Sequence, residues 1–296
     1  MQDGLILKGI GGFYYVKSGS ELYECKPRGL FRKKELSPVA GDIVAISIVD
    51  ENRKEGVIEK IYNRKSFLVR PPVANIDQVI LAFAAKSPVP DFLLLDKLLV
   101  RIISLDLKPI ICINKVDLDT DKSTINLFEK YSTGFSTIFM SASSNIGVEE
   151  LINLLNGKIS ILAGPSGVGK STITNKIHSG NKAEIGNLSE KNKKGKHTTR
   201  HVELFEIGEN SYIADTPGFT SFNIDDIPYN KLQEYYPEFI DYNNGCKFVG
   251  CSHISEPYCA VKAAIEDEKI DQNRYNRYKQ LFGNLKKIER YKGWKY

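Results

Sequence analysis

A glycine-rich segment near the middle of the chain has the residue types and spacing of a phosphate-binding loop. The pattern of glycine, four residues, glycine, lysine and serine is met by Gly164-Pro165-Ser166-Gly167-Val168-Gly169-Lys170-Ser171. Its glycines let backbone N–H groups point at phosphate oxygens, while Lys170 would reach the β- and γ-phosphates and the Ser171 hydroxyl would bind Mg²⁺. Thr172 follows in the predicted helix and is assigned to the same site. An apolar strand before the segment and a helix after it are the context that this motif requires.

A second segment carries residues suited to recognising guanine. It consists of Asn114-Lys115-Val116-Asp117 and follows a predicted buried strand. The Asp117 carboxylate can accept hydrogen bonds from both guanine N1–H and N2–H₂, a donor pair that adenine lacks. Lys115 would lie along the base, and Asn114 would tie this segment to the phosphate-binding loop. After the next strand, Ser141-Ala142 is predicted to donate a backbone N–H to guanine O6.

A third segment is predicted to sense the γ-phosphate and to complete the magnesium site. It consists of Asp215-Thr216-Pro217-Gly218. Asp215 would hold Mg²⁺ through water, and the Gly218 N–H would contact the γ-phosphate. Between this segment and the phosphate-binding loop lie Thr198 and Thr199. One of the two should ligate Mg²⁺ only when GTP is bound, and Thr199 is the preferred candidate.

The residue after the third segment predicts slow intrinsic hydrolysis. Many GTPases place a glutamine there to orient the attacking water, but this chain has Phe219, which cannot do so. His197 is the best local candidate for this catalytic role, because an imidazole can orient or deprotonate water near neutral pH. The alternative is that His197 is merely exposed or binds an RNA phosphate.

The order of the three segments is unusual. In most GTPases the phosphate-binding loop comes first and the guanine element near the end, whereas here the guanine element comes first. The sequence therefore predicts a circularly permuted GTPase that binds GTP or GDP with Mg²⁺. Permutation also places the γ-phosphate switch at the end of the nucleotide domain, so we expect the nucleotide state to move the region that follows.

A cluster of cysteines near the C-terminus predicts a metal site. Three thiolates and one imidazole are supplied by Cys246, Cys251, His253 and Cys259. This set forms a closed tetrahedral zinc site without an open position, which predicts one structural zinc ion per chain. The chain has five cysteines, and such crowding favours a metal site in a reducing compartment over a disulfide framework. Cys25 and Cys112 lie in predicted strands and are interpreted as buried core residues.

The elements that must position these residues divide the chain into three regions. Residues 1–66 contain short β-branched and aromatic runs, which predict a small barrel because such strands must close to hide their edges. Residues 67–222 alternate strands with helices, which predicts a parallel sheet covered on both faces. Residues 223–296 hold the cysteines and a mainly helical end. The clearest predicted elements of the middle region are strands at 78–84, 109–113 and 158–163 and helices at 92–105 and 171–178.

Charge and hydropathy limit the partners. The net charge of +5 permits an acidic partner such as nucleic acid. Basic residues cluster in a barrel loop and along the last helix, where they either contact RNA or form a solvated surface: Arg28, Arg32, Lys33, Lys34, Arg274, Arg277, Lys279, Lys286, Lys287 and Arg290. No signal peptide and no run of about 20 apolar residues is found, so we expect a cytoplasmic protein without membrane contact.

These features together resemble the ribosome small-subunit-dependent GTPase A (RsgA) family over essentially the whole chain. Two further motifs are more specific than the phosphate-binding loop: His253-x2-Glu256-Pro257-x-Cys259-Ala260-Val261 and Lys196-His197-Thr198-Thr199. Arg200 departs from relatives that often carry a third threonine there. The resemblance implies an N-terminal OB-fold, a permuted GTPase domain and a C-terminal zinc domain. It also implies binding to the small ribosomal subunit and its rRNA late in assembly, with GTP hydrolysis stimulated by that subunit; a monomer is expected.

Two other functions compete with this interpretation. One is an RNA-binding assembly scaffold with a vestigial nucleotide site, against which the complete set of Lys170, Ser171, Thr199 and Asp215 argues. The other is a permuted GTPase that acts on the large subunit, although such relatives generally lack the pairing of barrel and zinc module.

Overall fold

The computed structural model describes residues 1–29, 31, 37–69, 71–180, 202–215 and 223–293. The strands are β1 (Gln2–Ile10), β2 (Phe13–Ser18), β3 (Glu21–Pro27), β4 (Ile43–Asp50), β5 (Glu55–Ile61), β6 (Phe67–Val69), β7 (Pro72–Ala74), β8 (Gln78–Ala84), β9 (Lys108–Asn114), β10 (Ser136–Phe139), β11 (Ile159–Ala163), β12 (Glu203–Gly208) and β13 (Ser211–Asp215). The α-helices are α1 (Phe92–Ser104), α2 (Ser123–Glu129), α3 (Val148–Leu155), α4 (Lys170–Gly180), α5 (Pro237–Asn243), α6 (Ala260–Glu266) and α7 (Gln272–Gly293). Short 3₁₀ helices cover Val116–Leu118 and Tyr229–Tyr235.

The first five strands close into a barrel of the OB type, as predicted. β1 pairs with both β2 and β4, β2 pairs with β3, β3 pairs with β5 in parallel, and β4 pairs with β5, so the circuit has no free edge. The sequence pattern does not predict β1. Most of its residues are only half-buried, and its Leu5 and Leu7 pack against the core of the middle region rather than showing a simple alternation.

The middle region is a parallel sheet whose order is β10-β9-β8-β11-β13, with β12 antiparallel at its edge. β8 is buried along its whole length because helices cover both faces. Its Leu81 packs on the face covered by α1, and its Ile80 on the face covered by α3 and α4. Asp91 begins α1 as predicted, since its carboxylate accepts the Leu94 N–H at 3.0 Å.

The carboxyl ends of the parallel strands lie at one edge of the sheet, where the strand order reverses beside β8. The chain runs from β8 to β9 and β10 on one side, whereas β11 lies on the other side of β8. The carboxyl ends of these parallel strands meet at one edge, and ligands of open α/β sheets bind where the strand order reverses in this way. The guanine element follows β9 and the phosphate-binding loop follows β11, so both lie at that edge.

The C-terminal region has a core of its own. Aromatic and aliphatic residues of α5, α6 and α7 form it together with the preceding 3₁₀ helix: Leu232, Tyr236, Phe239, Val261, Ala264, Tyr278, Leu281 and Leu285. Val100 of α1 joins the same cluster, so this core packs directly on the middle region. Among the described residues, no helix is long and apolar enough to cross a bilayer.

A buried ion cluster fastens the C-terminal region to α1. The Asp96 side chain is fully buried and lies 2.5 Å from Arg274 Nη1 and 2.6 Å from Arg277 Nε. The Tyr131 hydroxyl donates to the same carboxylate at 2.8 Å. The interpretation of Arg274 and Arg277 as part of an RNA-facing or solvated surface is therefore wrong, because both guanidinium groups pair inside the protein.

Asp96→Ala is expected to lower the free energy of unfolding by about 3–5 kcal/mol, because it leaves the Arg277 guanidinium without its carboxylate and Arg274 paired with Glu238 alone. Urea denaturation measures the change. The matched control is Asp226→Ala, which breaks the exposed pair with Arg101 and should cost about 1 kcal/mol or less. Equal losses from the two variants would mean that the Asp96 cluster does not hold the regions together.

Candidate nucleotide and metal sites

One side chain joins the predicted guanine and phosphate elements. Asn114 ends β9 and is 2 % exposed. Its Nδ2 donates to the Val168 carbonyl at 2.9 Å, and its Oδ1 accepts the Ala142 N–H at 3.0 Å. Three segments that are far apart in the sequence are thereby held around one point at the carboxyl edge of the sheet.

Two glycines of the phosphate-binding loop are required by space as well as by backbone conformation. Gly164 has a φ of +140°, and a Cβ there would lie 2.0 Å from the Ala82 carbonyl oxygen of β8. Gly169 has a φ of +97°, and its Cβ would lie 2.4 Å from Asn114 Nδ2. Any side chain at Gly169 would therefore disturb the link between the phosphate and guanine elements.

The lysine of the phosphate-binding loop is held by carbonyl groups of the same loop. Lys170 begins α4, and its Nζ donates to the carbonyl oxygens of Gly164 at 2.8 Å and Pro165 at 2.6 Å. Burial lowers the pKa of the Lys170 ammonium, so a phosphate beside it would favour the charged form. Ser171 and Thr172 are exposed at the same helix start, where the helix dipole favours anions.

The guanine element is held against the phosphate-binding loop by its lysine. Lys115 has a φ of +62°, and its Nζ donates to the carbonyl oxygens of Gly167, at 2.7 Å, and Ser87. The Asp117 side chain is exposed, so its carboxylate is open to a base. Contact between Asp117 and the base stays a prediction.

The backbone N–H groups that are predicted to contact guanine O6 already have acceptors within the protein. The Ser141 N–H donates to Ile146 O, and the Ala142 N–H donates to Asn114 Oδ1, both at 3.0 Å. A bond from either group to the base would therefore have to be shared between two acceptors or would require this loop to shift. The O6 contact stays a prediction.

Sequence reasoning missed an ion pair behind the guanine element. The Asp119 side chain is fully buried, and its Oδ1 lies 3.1 Å from the Nζ of Lys86, which follows β8. Its Oδ2 accepts the N–H groups of Thr124 at 2.9 Å and Ile125 at 2.8 Å, which fixes the turn after Asp117 to the start of α2. No local pattern marks this pair, because Lys86 follows β8 and Asp119 follows the 3₁₀ helix after β9.

Lys86→Met is expected to raise the KM for GTP about tenfold, equivalent to about 1.4 kcal/mol, with little change in kcat. The reason is that Asp119 would be buried without its cation, so the turn that carries Asp117 would be held less firmly. GTP titrations of hydrolysis give both constants. Lys122→Met removes an exposed lysine from the loop that carries Asp119, and it should leave the KM for GTP unchanged. An unaltered KM in Lys86→Met would exclude this positioning role.

The remaining predicted catalytic groups cannot be placed. His197, Thr198, Thr199, the segment 216–218 and Phe219 lie outside the described residues, as do Arg32, Lys33 and Lys34 of the barrel loop. Asp215 ends β13, next to β11, but its side chain is also outside the description. Arg28 of that loop pairs with Glu59 at 2.8 Å.

The structure brings together the four predicted metal ligands. The ligating atoms of Cys246, Cys251, His253 and Cys259 all lie within 4.8 Å of one another. His253 Nδ1 faces the Cys259 Sγ at 3.2 Å and the Cys246 Sγ at 3.7 Å. Burial, followed by the neighbouring thiols, raises the pKa of Cys251 to about 12. A bound cation would compensate the thiolates, so this group could hold a metal ion.

Glu256 holds the turn that carries His253. Its carboxylate accepts the Ser252 N–H at 2.8 Å, the Ser252 hydroxyl at 2.6 Å, and the N–H groups of Ile254 and Ser255 at 3.0 Å. Burial alone would raise its pKa, but these hydrogen bonds outweigh burial and lower the pKa of Glu256 to about 2. The carboxylate therefore stays ionised and fixes the turn.

Two tyrosines of α7 support the same turn. The Tyr275 hydroxyl donates to the His253 carbonyl at 2.6 Å, and the Tyr278 hydroxyl donates to the Ser252 carbonyl at 2.7 Å. The apolar periodicity of this helix predicts core packing, which the rings provide. Their hydroxyl groups also bind the turn, a role that the apolar periodicity does not predict. The signal in the sequence is that tyrosine occurs at positions where leucine or phenylalanine would pack equally well.

Comparison with known proteins gives consistent matches. Family models described as RsgA GTPase and RsgA N-terminal domain match residues 61–225 and 3–58. A relative from Ruminiclostridium cellulolyticum, named small ribosomal subunit biogenesis GTPase RsgA, is 52 % identical across 100 % of this chain and 97 % of its own length. A relative of the same name from Alkaliphilus metalliredigens is 44 % identical across 98 % of this chain and 100 % of its own.

Solved structures agree with these matches. The crystal structure of YjeQ from Thermotoga maritima superposes with a TM-score of 0.83 at 36 % identity, covering 96 % of this chain and 98 % of that one. The structure of YloQ, described as a circularly permuted GTPase, gives a TM-score of 0.81 at 36 % identity, covering 97 % and 96 %.

Proposed function

The chain belongs to the RsgA GTPase family, and from that premise we propose that it hydrolyses GTP slowly alone and faster on the small ribosomal subunit, whose late assembly it assists. The observation that carries the nucleotide part is the Asn114 side chain, which joins the guanine element, the phosphate-binding loop and the loop after β10. The partner is supported by the printed names of relatives that match along their whole length.

The residues of the site take distinct roles in this proposal. Asp117 selects guanine, and Lys115 covers the base. Lys170 and the N–H groups of the phosphate-binding loop bind the phosphates and keep the γ-phosphate in place for attack. Mg²⁺, when bound, neutralises the developing charge; its protein partners are Ser171, Thr199 and Asp215. The Gly218 N–H senses the γ-phosphate, and His197 orients the attacking water.

Zinc is the metal that the cysteine–histidine group fits. Zn–S bonds of about 2.3 Å in a tetrahedral site place two sulfurs roughly 3.8 Å apart. The Cys246 and Cys259 sulfurs lie 3.9 Å apart. With three thiolates and one imidazole, the site has no open position for a substrate, so one zinc ion per chain has a structural role.

The proposed work on the ribosome is divided among three domains. Residues 1–66 form an RNA-binding barrel, 67–222 form the permuted GTPase domain and 223–296 form the zinc domain. On α7, Lys279, Lys287 and Arg290 are exposed and remain available to rRNA, unlike the two buried arginines. We place the protein in the cytoplasm, where ribosomal subunits assemble, and as a monomer.

Sedimentation with separated ribosomal subunits tests the choice of partner. The full chain, loaded with a non-hydrolysable GTP analogue, should pellet with purified small subunits and stay in solution with large ones. An ATP analogue serves as the control for base selection. Pelleting with large subunits would favour a large-subunit GTPase, and failure to pellet with either would contradict the proposed partner.

A further inference from the structure

A row of residues in register crosses the sheet from the barrel to the nucleotide domain. β1 of the barrel pairs with β12 at the edge of the middle sheet, and β12 pairs in turn with β13. In that register Lys8 of β1 lies opposite Glu203 of β12, and Glu203 lies opposite Asp215 at the end of β13. On the barrel side, Lys8 lies opposite Tyr15, and Tyr15 lies opposite Glu24. Five neighbouring strands therefore connect the barrel to a residue assigned to the magnesium site.

The side chains of the barrel half of this row contact one another and Glu203. Lys8 Nζ lies 2.7 Å from Glu203 Oε1 and 5.3 Å from the centre of the Tyr15 ring. The Tyr15 hydroxyl donates to Glu24 Oε2 at 2.9 Å. Neighbours across a strand pair share one face of a sheet, so each of these side chains limits the movement of the next. The Lys8 and Glu203 side chains are 29 % and 32 % exposed, so water weakens their attraction only in part.

The end of β13 depends on this row for its position more than the rest of the strand does. In the described part of the chain, the register of β13 with β11 runs from Tyr212 to Ala214 and ends there. The strand partner that the structure gives Asp215 is Glu203, on the other side of β13. Glu203 is also the residue at which β12 meets Lys8. Since a strand end that is held from one side follows that side, the barrel and the end of β13 are mechanically joined.

We propose that Lys8 and Glu203 are positioning residues for GTP hydrolysis, because they hold the end of β13 at the residue that takes part in binding Mg²⁺. The inference rests on the proposed function for the role of Asp215. Neither Lys8 nor Glu203 touches the nucleotide; both act through the strand pairing of Glu203 with Asp215. A partner that shifts the barrel would thereby change how firmly the nucleotide site holds Mg²⁺.

A second ion pair at the same joint supplies the matched control. Lys17 of β2 pairs with Glu206 of β12, and their side chains are 23 % and 30 % exposed, close to the values for the first pair. Glu206 lies opposite Tyr212, at the start of β13 rather than at its end. Lys17→Met therefore loosens the barrel from β12 as Lys8→Met does, but at a position outside the row.

Mg²⁺ titrations of the binding of a fluorescent, non-hydrolysable GTP analogue to the full chain test the proposal. We expect Lys8→Met to raise the Mg²⁺ concentration at which binding is half-maximal about three- to fivefold, the range of a partly exposed ion pair. The Kd for the analogue in EDTA should not change. Lys8→Arg keeps the cation and should behave like the wild type, as should Lys17→Met. Turnover of GTP by Lys8→Met should recover at high Mg²⁺ concentration.

The sign of the change separates positioning from charge. Removing a cation near a metal site favours Mg²⁺ by itself, so a lower Mg²⁺ requirement in Lys8→Met would mean that Lys8 acts through charge alone and would overturn the proposal. Equal requirements in Lys8→Met and Lys17→Met would also overturn it, because the pair would then merely fasten the barrel. Asp215→Asn identifies the source of a failure. If its requirement is raised while that of Lys8→Met is not, the inference alone is excluded; if it is unchanged, the role of Asp215 in the proposed function is wrong and the inference falls with it.

Discussion

Asp117→Asn is expected to weaken GTP binding by about 100-fold or more and to make XTP the better ligand. The carboxylate accepts two hydrogen bonds from guanine, each worth about 1.5–3 kcal/mol to a charged group. An asparagine amide can accept one of them but turns its NH₂ towards the guanine amine. Xanthine carries a carbonyl at that position, which the amide can pair. Titration with fluorescent GTP and XTP analogues measures both affinities.

The matched control for this exchange is Asp121→Asn in the same loop. Asp121 is 65 % exposed and lies 3.3 Å from Lys86 Nζ, but Lys86 keeps its pair with Asp119 when Asp121 is replaced, so GTP affinity should change by less than about fivefold. If Asp117→Asn kept its affinity for GTP and gained none for XTP, the base would bind somewhere other than at the end of β9.

Cys259→Ala is expected to release the metal ion and unfold the C-terminal region while leaving GTP binding intact. Cys259 is 5 % exposed and directly precedes α6, so loss of the metal also releases the residue from which that helix starts. Structural zinc contributes about 10–16 kcal/mol in small zinc-dependent folds, and a three-ligand site keeps only part of that. Elemental analysis would show less than one zinc per chain, and hydrogen exchange would lose protection over 246–293.

Cys25→Ala separates the loss of a thiol from the loss of a metal ligand. Cys25 is buried in the barrel, so its loss should lower barrel stability moderately and leave the metal content unchanged. A Cys259→Ala protein that kept one metal ion and full protection in its C-terminal region would show that the four residues do not form a metal site.

The nucleotide domain follows from the sequence because its motifs and its periodicity agree. A strand at 78–84 and a helix starting at 92 are predicted and observed with those starts, since β8 is a continuous apolar run and Asp91 is a clear N-cap. Strand β1 could not be predicted from the sequence, because its half-buried residues on both faces give no period-two pattern. The phosphate-binding loop and the cysteine set are local patterns, and the structure brings each set together.

The ion pairs that could not be predicted from the sequence join residues from distant segments. Arg274 and Arg277 lie in a run of basic residues that suggests an exposed face. Their burial follows from Asp96, which is 178 residues from Arg274 and carries no local mark of its role. The same holds for Lys86 and Asp119 behind the guanine element.

The Asp96 cluster also constrains the predicted movement of the C-terminal region. A shift of this region relative to α1 would break buried ion pairs with both arginines, which is costly in a poorly solvated site. Movement of the zinc domain together with α1 would avoid that cost. Nucleotide-driven motion stays a prediction, and a comparison of hydrogen exchange in GTP-analogue and GDP complexes on the subunit would detect it.

GTP hydrolysis by the full chain, with and without purified small ribosomal subunits, tests the proposed function most directly. It is measured as phosphate release, with ATP as the control. Because position 219 is a phenylalanine, turnover alone should be slow. Small subunits should raise it by at least about tenfold, as partners that complete GTPase sites do, while ATP stays unhydrolysed. Turnover that stayed flat on addition of small subunits would contradict the account and favour an RNA-binding scaffold with a vestigial nucleotide site.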